Sequence, residues 1–482
     1  MHGRLFPYLL CFILFTSINL TMSVTAHSQT PDASTASAEA GKPSGDLDFQ
    51  KANKEAVEKL RKMPPDKVAI LDDKLAEALT LYYDGKFAQA LPIFNSISAD
   101  VETMDIMWWL GTSAMNTGDT KIAIAKFQQM LAVDPGLHRV RLELAAAYFQ
   151  NKQYKEARRE LEIVKQSKPP QDVQKNIDRL LAAIDESTKK VFWNVRFSQG
   201  IQWDSNISSG PDQKELSVTG GTLTLADDTK KLSDWASIEN FSGNVLYDFG
   251  DRGGFMWNTT ADVYNQFYFN YGKYNYLLGE VSTGPWWVGP NDILKLPMGF
   301  SKQEYGSSPL STIYHFRPSL EHYLTPYFSV RGLFSWSREN FMDSSNYNLN
   351  NTTLRGEIGP NFFFMNRRHI VSLNVGYESS NADARNFTYT APYGAISYYT
   401  RFPTKTDLFL RYQLGERNYK AAPVLYNDER VDRRQSVSAV LSQEFLKHYF
   451  TSFAFNYIDN HSNDELYSFT KETYTLSVGF YF

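Results

Sequence analysis

RLELAAAYFQNKQYKEARRELEIVKQSKPP (Arg141 to Pro170) and VFWNVRFSQGIQWDSNI (Val191 to Ile207) stand on either side of the point where this chain changes its periodicity. In the first stretch apolar and small residues return about every four positions, the stripe of an amphipathic helix. In the second they alternate, which marks a strand with two unlike faces. The change predicts a helical region before it and a stranded region after it.

Upstream, the helical pattern repeats. Gly85, Phe87, Ala90 and Phe94 align with Gly118, Thr120, Ala123 and Phe127, and these with Lys152, Tyr154, Ala157 and Leu161. The offsets between the alanines are 33 (123 − 90) and 34 (157 − 123), the tetratricopeptide period. Small residues at 90, 123 and 157 let paired helices approach closely, and the large residues at 94 and 127 fill the space beside them. Repeats of this kind build a concave surface for extended protein segments. The resemblance to other tetratricopeptide domains implies that the inner face comes from the first helix of each pair. That gives Tyr82 and Tyr83, then Asp105, Trp108 and Asn116, then Arg139, Glu143 and Phe149 as the candidate binding groove. Of the adjacent Trp108 and Trp109, one ring is expected in the core.

Downstream, fourteen alternating runs follow, from WNVRFSQGIQWD at Trp193 to KETYTLSVGFYF at Phe482. Tight turns such as Leu324-Thr325-Pro326 and Leu446-Lys447-His448 alternate with long polar loops at 205–234, 340–350, 416–430 and 460–468. Strands of roughly ten residues, short turns on one side and long loops on the other form the pattern of an outer-membrane barrel. Connections near 270 and 285 fit the rhythm less well. In the last run Tyr474, Leu476, Val478, Phe480 and Phe482 share one face. Terminal aromatic strands of this kind resemble those recognised by the barrel-assembly machinery.

Composition agrees. An aromatic fraction of 15% suits rings placed at two membrane interfaces. A net charge of −4, without clustered Lys and Arg, argues against nucleic acid as a partner. Residues 1–26 read as a signal peptide, with an apolar run from Phe6 to Phe15 and a small-residue site at Val24-Thr25-Ala26. Residues 27–50 read as a disordered linker rich in Ser, Ala, Pro and Gly. The only cysteine, Cys11, lies in the apolar run, so no disulfide or thiolate metal site is expected in the mature chain. Past the signal no 18-residue apolar window occurs, which leaves a barrel as the membrane-spanning form.

The quoted junction, with its Asp204-Ser205-Asn206-Ile207 ending, resembles the surface lipoprotein assembly modulator (Slam) family. The resemblance covers residues 75 to 482 and is most specific from Arg141 to Ile207. It implies a multidomain chain, with a periplasmic tetratricopeptide-like helical domain (51–188) followed by a fourteen-stranded antiparallel transmembrane β-barrel (189–482), and marks Trp193, Asp204 and Asn206 as a junction motif. Two departures touch specificity: Ser208 stands where an Asn often follows, and only about three repeats are present. The implied function is an outer-membrane translocon of a Gram-negative bacterium. It would take a secreted protein or lipoprotein cargo from the periplasm to the surface, with the barrel-assembly machinery and outer-membrane lipid as further partners.

No chemistry competes with that reading. There is no phosphate loop, and none of the eight histidines meets a nucleophile in a recognisable motif, so no enzyme and no cofactor is expected. The acidic stretch Asp459 to Glu465 could offer oxygen ligands to Ca²⁺, but reads better as a solvated loop, leaving no metal site. A polysaccharide-export porin with helical repeats is the alternative function. A structural scaffold without transport is a third.

Overall fold

A computed structural model describes residues 54–227, 229–250, 254–423 and 426–482. The signal-peptide and linker readings, Cys11 included, lie outside these residues. The described chain divides into two compact units, with the boundary between Lys189 and Lys190.

The helical unit contains eight described helices: α1 (Lys54–Arg61), α2 (Pro65–Tyr83), α3 (Phe87–Asp100), α4 (Met104–Thr117), α5 (Thr120–Val133), α6 (His138–Gln150), α7 (Tyr154–Gln166) and α8 (Gln171–Thr188). The pairs α2/α3, α4/α5 and α6/α7 are the three repeats. Ala90, Ala123 and Ala157 are completely buried, as are Phe94 and Phe127, with Leu161 in the equivalent place. Burying each Phe contributes roughly 2–3 kcal/mol. Gly111 carries the close approach in the second pair, since a Cβ there would lie 2.7 Å from the Phe127 ring. Each pair turns at the same repeat position, where Gly85, Gly118 and Lys152 take φ of 75°, 83° and 59°. Glycine reaches that left-handed region without strain, and lysine does not. Thr103 starts α4 by accepting from the Ile106 N–H, and Asp119 starts α5 by accepting from Ile122. The amphipathic α8 ends the array by burying Ile177 and Ile184 against the third pair.

The stranded unit is a closed antiparallel barrel of fourteen strands. In order they are β1 (Val191–Asp204), β4 (Asp234–Asp248), β5 (Gly254–Tyr268), β6 (Tyr276–Val288), β7 with β8 (Asp292–Lys295, Met298–Tyr305), and β9 with β10 (Ser308–Phe316, Ser319–Thr325). Then follow β11 (Phe328–Phe341), β12 (Asn351–Phe364), β13 (His369–Ala382), β14 (Tyr389–Arg401), β15 (Thr406–Tyr419), β16 (Val431–Phe445), β17 (Tyr449–Ser462) and β18 (Phe469–Tyr481). Pairing of β18 with β1 closes the ring. A small hairpin, β2 (Glu215–Val218) with β3 (Gly221–Thr224), stands in the loop after β1.

The fifth and sixth strands are each split by a proline. Pro297 and Pro318 have no N–H to give the ladder. Their carbonyls still serve, accepting from Arg317 (2.9 Å) and Phe334 (2.9 Å), and the Pro285 carbonyl of β6 accepts from Leu296 (3.0 Å). The irregular connections are now placed: residues 269–275 form a loop, and 289–291 a tight turn at the opposite end. One connection at the looped end is unusually short. Gly306-Ser307 joins β8 to β9 with φ of 58° and 63°, the geometry of a two-residue type I′ hairpin.

Alternation sends apolar residues outward on every strand. Leu476, Val478 and Phe482 are each about 60% exposed on the outer face, as the terminal-strand reading requires. Trp203 and Trp235 pair at 5.3 Å near the looped end, and Trp193 and Trp257 lie toward the other end. Two aromatic levels with aliphatic surface between them are what a bilayer selects.

Candidate functional site

The first helices of the repeats bring half of the predicted groove together: Tyr82, Trp108, Arg139 and Glu143. The Arg139 guanidinium lies 5.0 Å above the centre of the Trp108 ring. Trp108 in turn packs against Phe127 and Trp109 stacks on Phe94; both rings are partly buried against the core, so neither of the two is the wholly interior one. Glu143, one turn beyond Arg139 on α6, is partly buried. Burial pushes its carboxyl up to about 7, with Arg139 pulling the other way. Tyr82 sits within reach of the same charges; burial raises its hydroxyl pKa, and Glu143 adds to the rise. Thr112, which sequence reasoning missed, bridges the Tyr82 hydroxyl (3.1 Å) and the Trp108 carbonyl (2.8 Å). Its signal was present: it lies one turn past Trp108 on the same face.

Other predicted groove residues separate. Tyr83 is the open one, 70% exposed, and touches Tyr82 edge-on. Asn116 spends its amide on the Thr112 carbonyl (2.8 Å), and Phe149 packs on Tyr154. Asp105 leaves the group. It lines a cavity of about 190 Å³ with Leu60, Leu75 and Trp109, between α1, α2 and α4. The face therefore offers an aromatic and cationic centre, Trp108 with Arg139, beside the partly buried Glu143 carboxyl.

In the barrel the junction motif splits by height. Trp193 lies on the outer wall near the start of β1, whereas Asp204 and Asn206 are fully buried at the looped end. Asp204 accepts from the Asn206 N–H at Oδ1 (2.9 Å) and from the Tyr268 hydroxyl at Oδ2 (2.7 Å), and Oδ2 also lies 2.7 Å from the Lys471 ammonium. The Asn206 amide donates to the carbonyls of Gly210 and Thr470, both at 2.9 Å. Ser205 and Glu472 add two further bonds through the Ser205 N–H and hydroxyl. The motif thus fastens the first loop across the seam between β1 and β18. Lys471 was not foreseen, although a lysine at an inward position of the last strand was a visible break in the pattern.

The rest of that loop is docked. Leu216 and Leu225 beside the β2/β3 hairpin bury against Leu466 of the last loop, with Tyr426 and Tyr467 alongside. The Ser217 N–H donates to Glu465 at 3.0 Å. Beneath them Arg430 is held between the rings of Tyr419 and Tyr467, 3.6 and 3.7 Å from their centres. Burial pushes the nearby Asp464 carboxyl up to about 6; Arg430 opposes the shift, and Asp432 and Asp428 reinforce it. The seam itself is paired from Arg196 to Asp204, and Val195 and Phe482 exchange both backbone hydrogen bonds (3.1 and 2.9 Å).

A family description of the N-terminal tetratricopeptide repeats of surface lipoprotein assembly modifier matches residues 66–161, and the description of surface lipoprotein assembly modifier matches residues 193–482. The surface lipoprotein assembly modifier of Pasteurella multocida (strain Pm70) is 20% identical over 344 residues, 69% of this chain and 65% of that protein. Surface lipoprotein assembly modifier 1 of Neisseria meningitidis serogroup B is 24% identical over 250 residues, 52% of this chain and 48% of that protein. The matched chain thus spans between about half and two thirds of these relatives. Among solved structures, OmpT of Vibrio cholerae, an outer membrane protein, aligns at a TM-score of 0.36 and 7% identity, covering 61% of this chain and 97% of its own. The Yersinia enterocolitica type III secretion translocator chaperone SycD aligns at 0.23 and 20% identity, covering 26% and 89%. With the barrel description matching more than half of the chain and the repeats matching ahead of it, the protein belongs to the surface lipoprotein assembly modifier family, as an outer-membrane barrel that carries a tetratricopeptide domain.

Proposed function

We propose that this chain is a translocon, in which the helical unit takes a lipoprotein in the periplasm and the barrel delivers it to the cell surface. The observation that carries the reading is the joining, in one chain, of two devices. One is a repeat face with an aromatic and cationic centre at Trp108 and Arg139, suited to an extended segment. The other is a fourteen-strand barrel whose first and last loops are clasped together beside the seam. No catalytic step is invoked. Folding of the cargo outside supplies direction, because a folded chain cannot slide back. The outward terminal strand, Tyr474 to Phe482, is the expected contact for the barrel-assembly machinery, and the apolar wall contacts outer-membrane lipid.

Surface labelling of intact cells with and without the gene tests this. Loss of one or two lipoproteins from the surface, with their accumulation in the periplasm, is expected. An unchanged surface protein pattern with reduced extracellular polysaccharide would instead establish the porin function. Combined Trp108→Ala and Arg139→Glu is expected to lower cargo display while barrel levels stay normal. Unchanged display would remove the groove from the mechanism.

A further inference from the structure

The outer wall of the barrel carries a polar stripe where lipid is expected. On β1, Val195, Phe197 and Ile201 face outward, and by the same alternation so does Gln199. On β4, Phe241 and Val245 face outward, and so does Glu239; on β5, Val263 and Phe267 do, and so does Asn265. The three polar residues stand in direct register, Gln199 opposite Glu239 and Glu239 opposite Asn265. Glu239 accepts from the Asn265 amide at 2.8 Å and from the Ser237 hydroxyl. Gln199 is exposed and makes no side-chain hydrogen bond to any described residue.

These residues lie below the aromatic level. Trp203 and Trp235 stand four residues closer to the looped end on the same faces. For strands tilted by ~40°, four residues correspond to roughly 10 Å of depth. Hydrocarbon at that depth cannot satisfy a primary amide or a carboxylate, so groups kept there mark a partner or a path. The line continues in register through Leu277 to Glu304 near the looped rim. At its deep end Gln199 is paired with Val478 of β18. The stripe therefore climbs obliquely from the seam to the surface.

Its chemistry selects the occupant. Glu239 and Glu304 make it acceptor-rich and acidic, with Lys302 on β8 as the neighbouring cation on that face. Phosphate-bearing lipid headgroups are repelled. A second copy docked by a two-fold axis through Glu239 would set carboxylate against carboxylate. A peptide that follows an acyl anchor offers backbone N–H donors and must cross this layer. We propose that the stripe binds the acylated N-terminal segment of a lipoprotein on the outside of the barrel, with peptide N–H groups on Gln199 and Glu239 and acyl chains against Ile201 and Phe241. This rests on the translocon reading and adds to it a track for the lipid anchor.

The test uses the whole chain in vesicles of phosphatidylethanolamine and lipopolysaccharide, with a benzophenone side chain at position 201, 245 or 453, so that Gln199 and Glu239 are both kept. The last two are also lipid-facing. The probe is a short synthetic peptide starting with a triacylated cysteine. About tenfold more adduct at 201 than at 245 or 453 is expected, falling to the level of those sites with Glu239→Leu. Equal yields at all three positions, or adducts only with lipopolysaccharide or a second copy, would overturn the proposal. In cells, Gln199→Leu with Glu239→Leu favours the membrane-embedded barrel and so leaves its level intact. Normal display from this variant, with display lost on gene deletion, removes the stripe alone. Normal display after deletion removes the translocon reading and the stripe with it.

Discussion

Asp204 of the first strand and Lys471 of the last form an ion pair of 2.7 Å, shielded from solvent on both sides. The contact is an ion pair more than an aligned hydrogen bond, and Asp204 also serves the Asn206 N–H and the Tyr268 hydroxyl. Removing one member of a buried pair costs about 3–5 kcal/mol. Lys471→Ala is expected to lower the temperature at which the barrel loses its heat-modifiable mobility. Asp204→Ala lowers it further, because two more donors lose their acceptor. Combined Asp204→Leu and Lys471→Met costs less than either single change. Additive losses in that cycle would show that the two side chains act separately.

The helical unit offers a pair of opposite changes. Gly111→Val places side-chain atoms into the Phe127 ring and is expected to destabilise by about 1–3 kcal/mol. Lys152→Gly relieves a left-handed lysine and is expected to stabilise by about 0.5–1 kcal/mol. Thermal melting followed by helical circular dichroism in detergent, with the barrel still folded, reads both.

The partly buried Glu143 makes helical stability depend on pH. Its folded pKa, about 7, lies above the ordinary carboxyl value of 4.5, so the folded state holds the proton more tightly than the unfolded state. The stabilisation is complete below pH 4.5 and is lost as pH rises through 7, a difference on the order of 3 kcal/mol. Glu143→Gln is expected to flatten that slope between pH 4.5 and 7. A slope unchanged in the variant would assign the effect to other groups.

The seam is testable directly. Gln202 and Thr475 are opposite each other across β1 and β18 and share a hydrogen bond of 2.9 Å. Gln202→Cys with Thr475→Cys, oxidised to a disulfide, locks the join. If lipidated cargo leaves through the wall, display stops and returns on reduction. Display unaffected by the lock would confine the route to the lumen.

Most of the fold was legible because both halves carry short-range codes. Ala90, Ala123 and Ala157 mark a repeat, and alternation marks each strand, so the fourteen runs coincide with the fourteen barrel strands. Contacts between distant loops have no such code. Nothing local to Ser217 points to Glu465, and nothing near Asp204 points to Lys471. The groove was half legible for a related reason. The repeat alignment put Trp108 and Arg139 on one face, yet Asp105 turns to a cavity that it lines with Leu60 of α1. Gln199 and Glu239 were readable as polar residues at outward positions, but only strand register shows that they meet.

Pro285, Pro297 and Pro318 lie on three successive barrel strands, each lending a carbonyl to the next and returning no N–H. Rungs are missing here on neighbouring strands, well away from the closing seam. The wall is consequently short of ladder donors along this line. Parting of β1 from β18 is therefore expected to bend the wall along this line, where three adjacent strands in turn lack a donor.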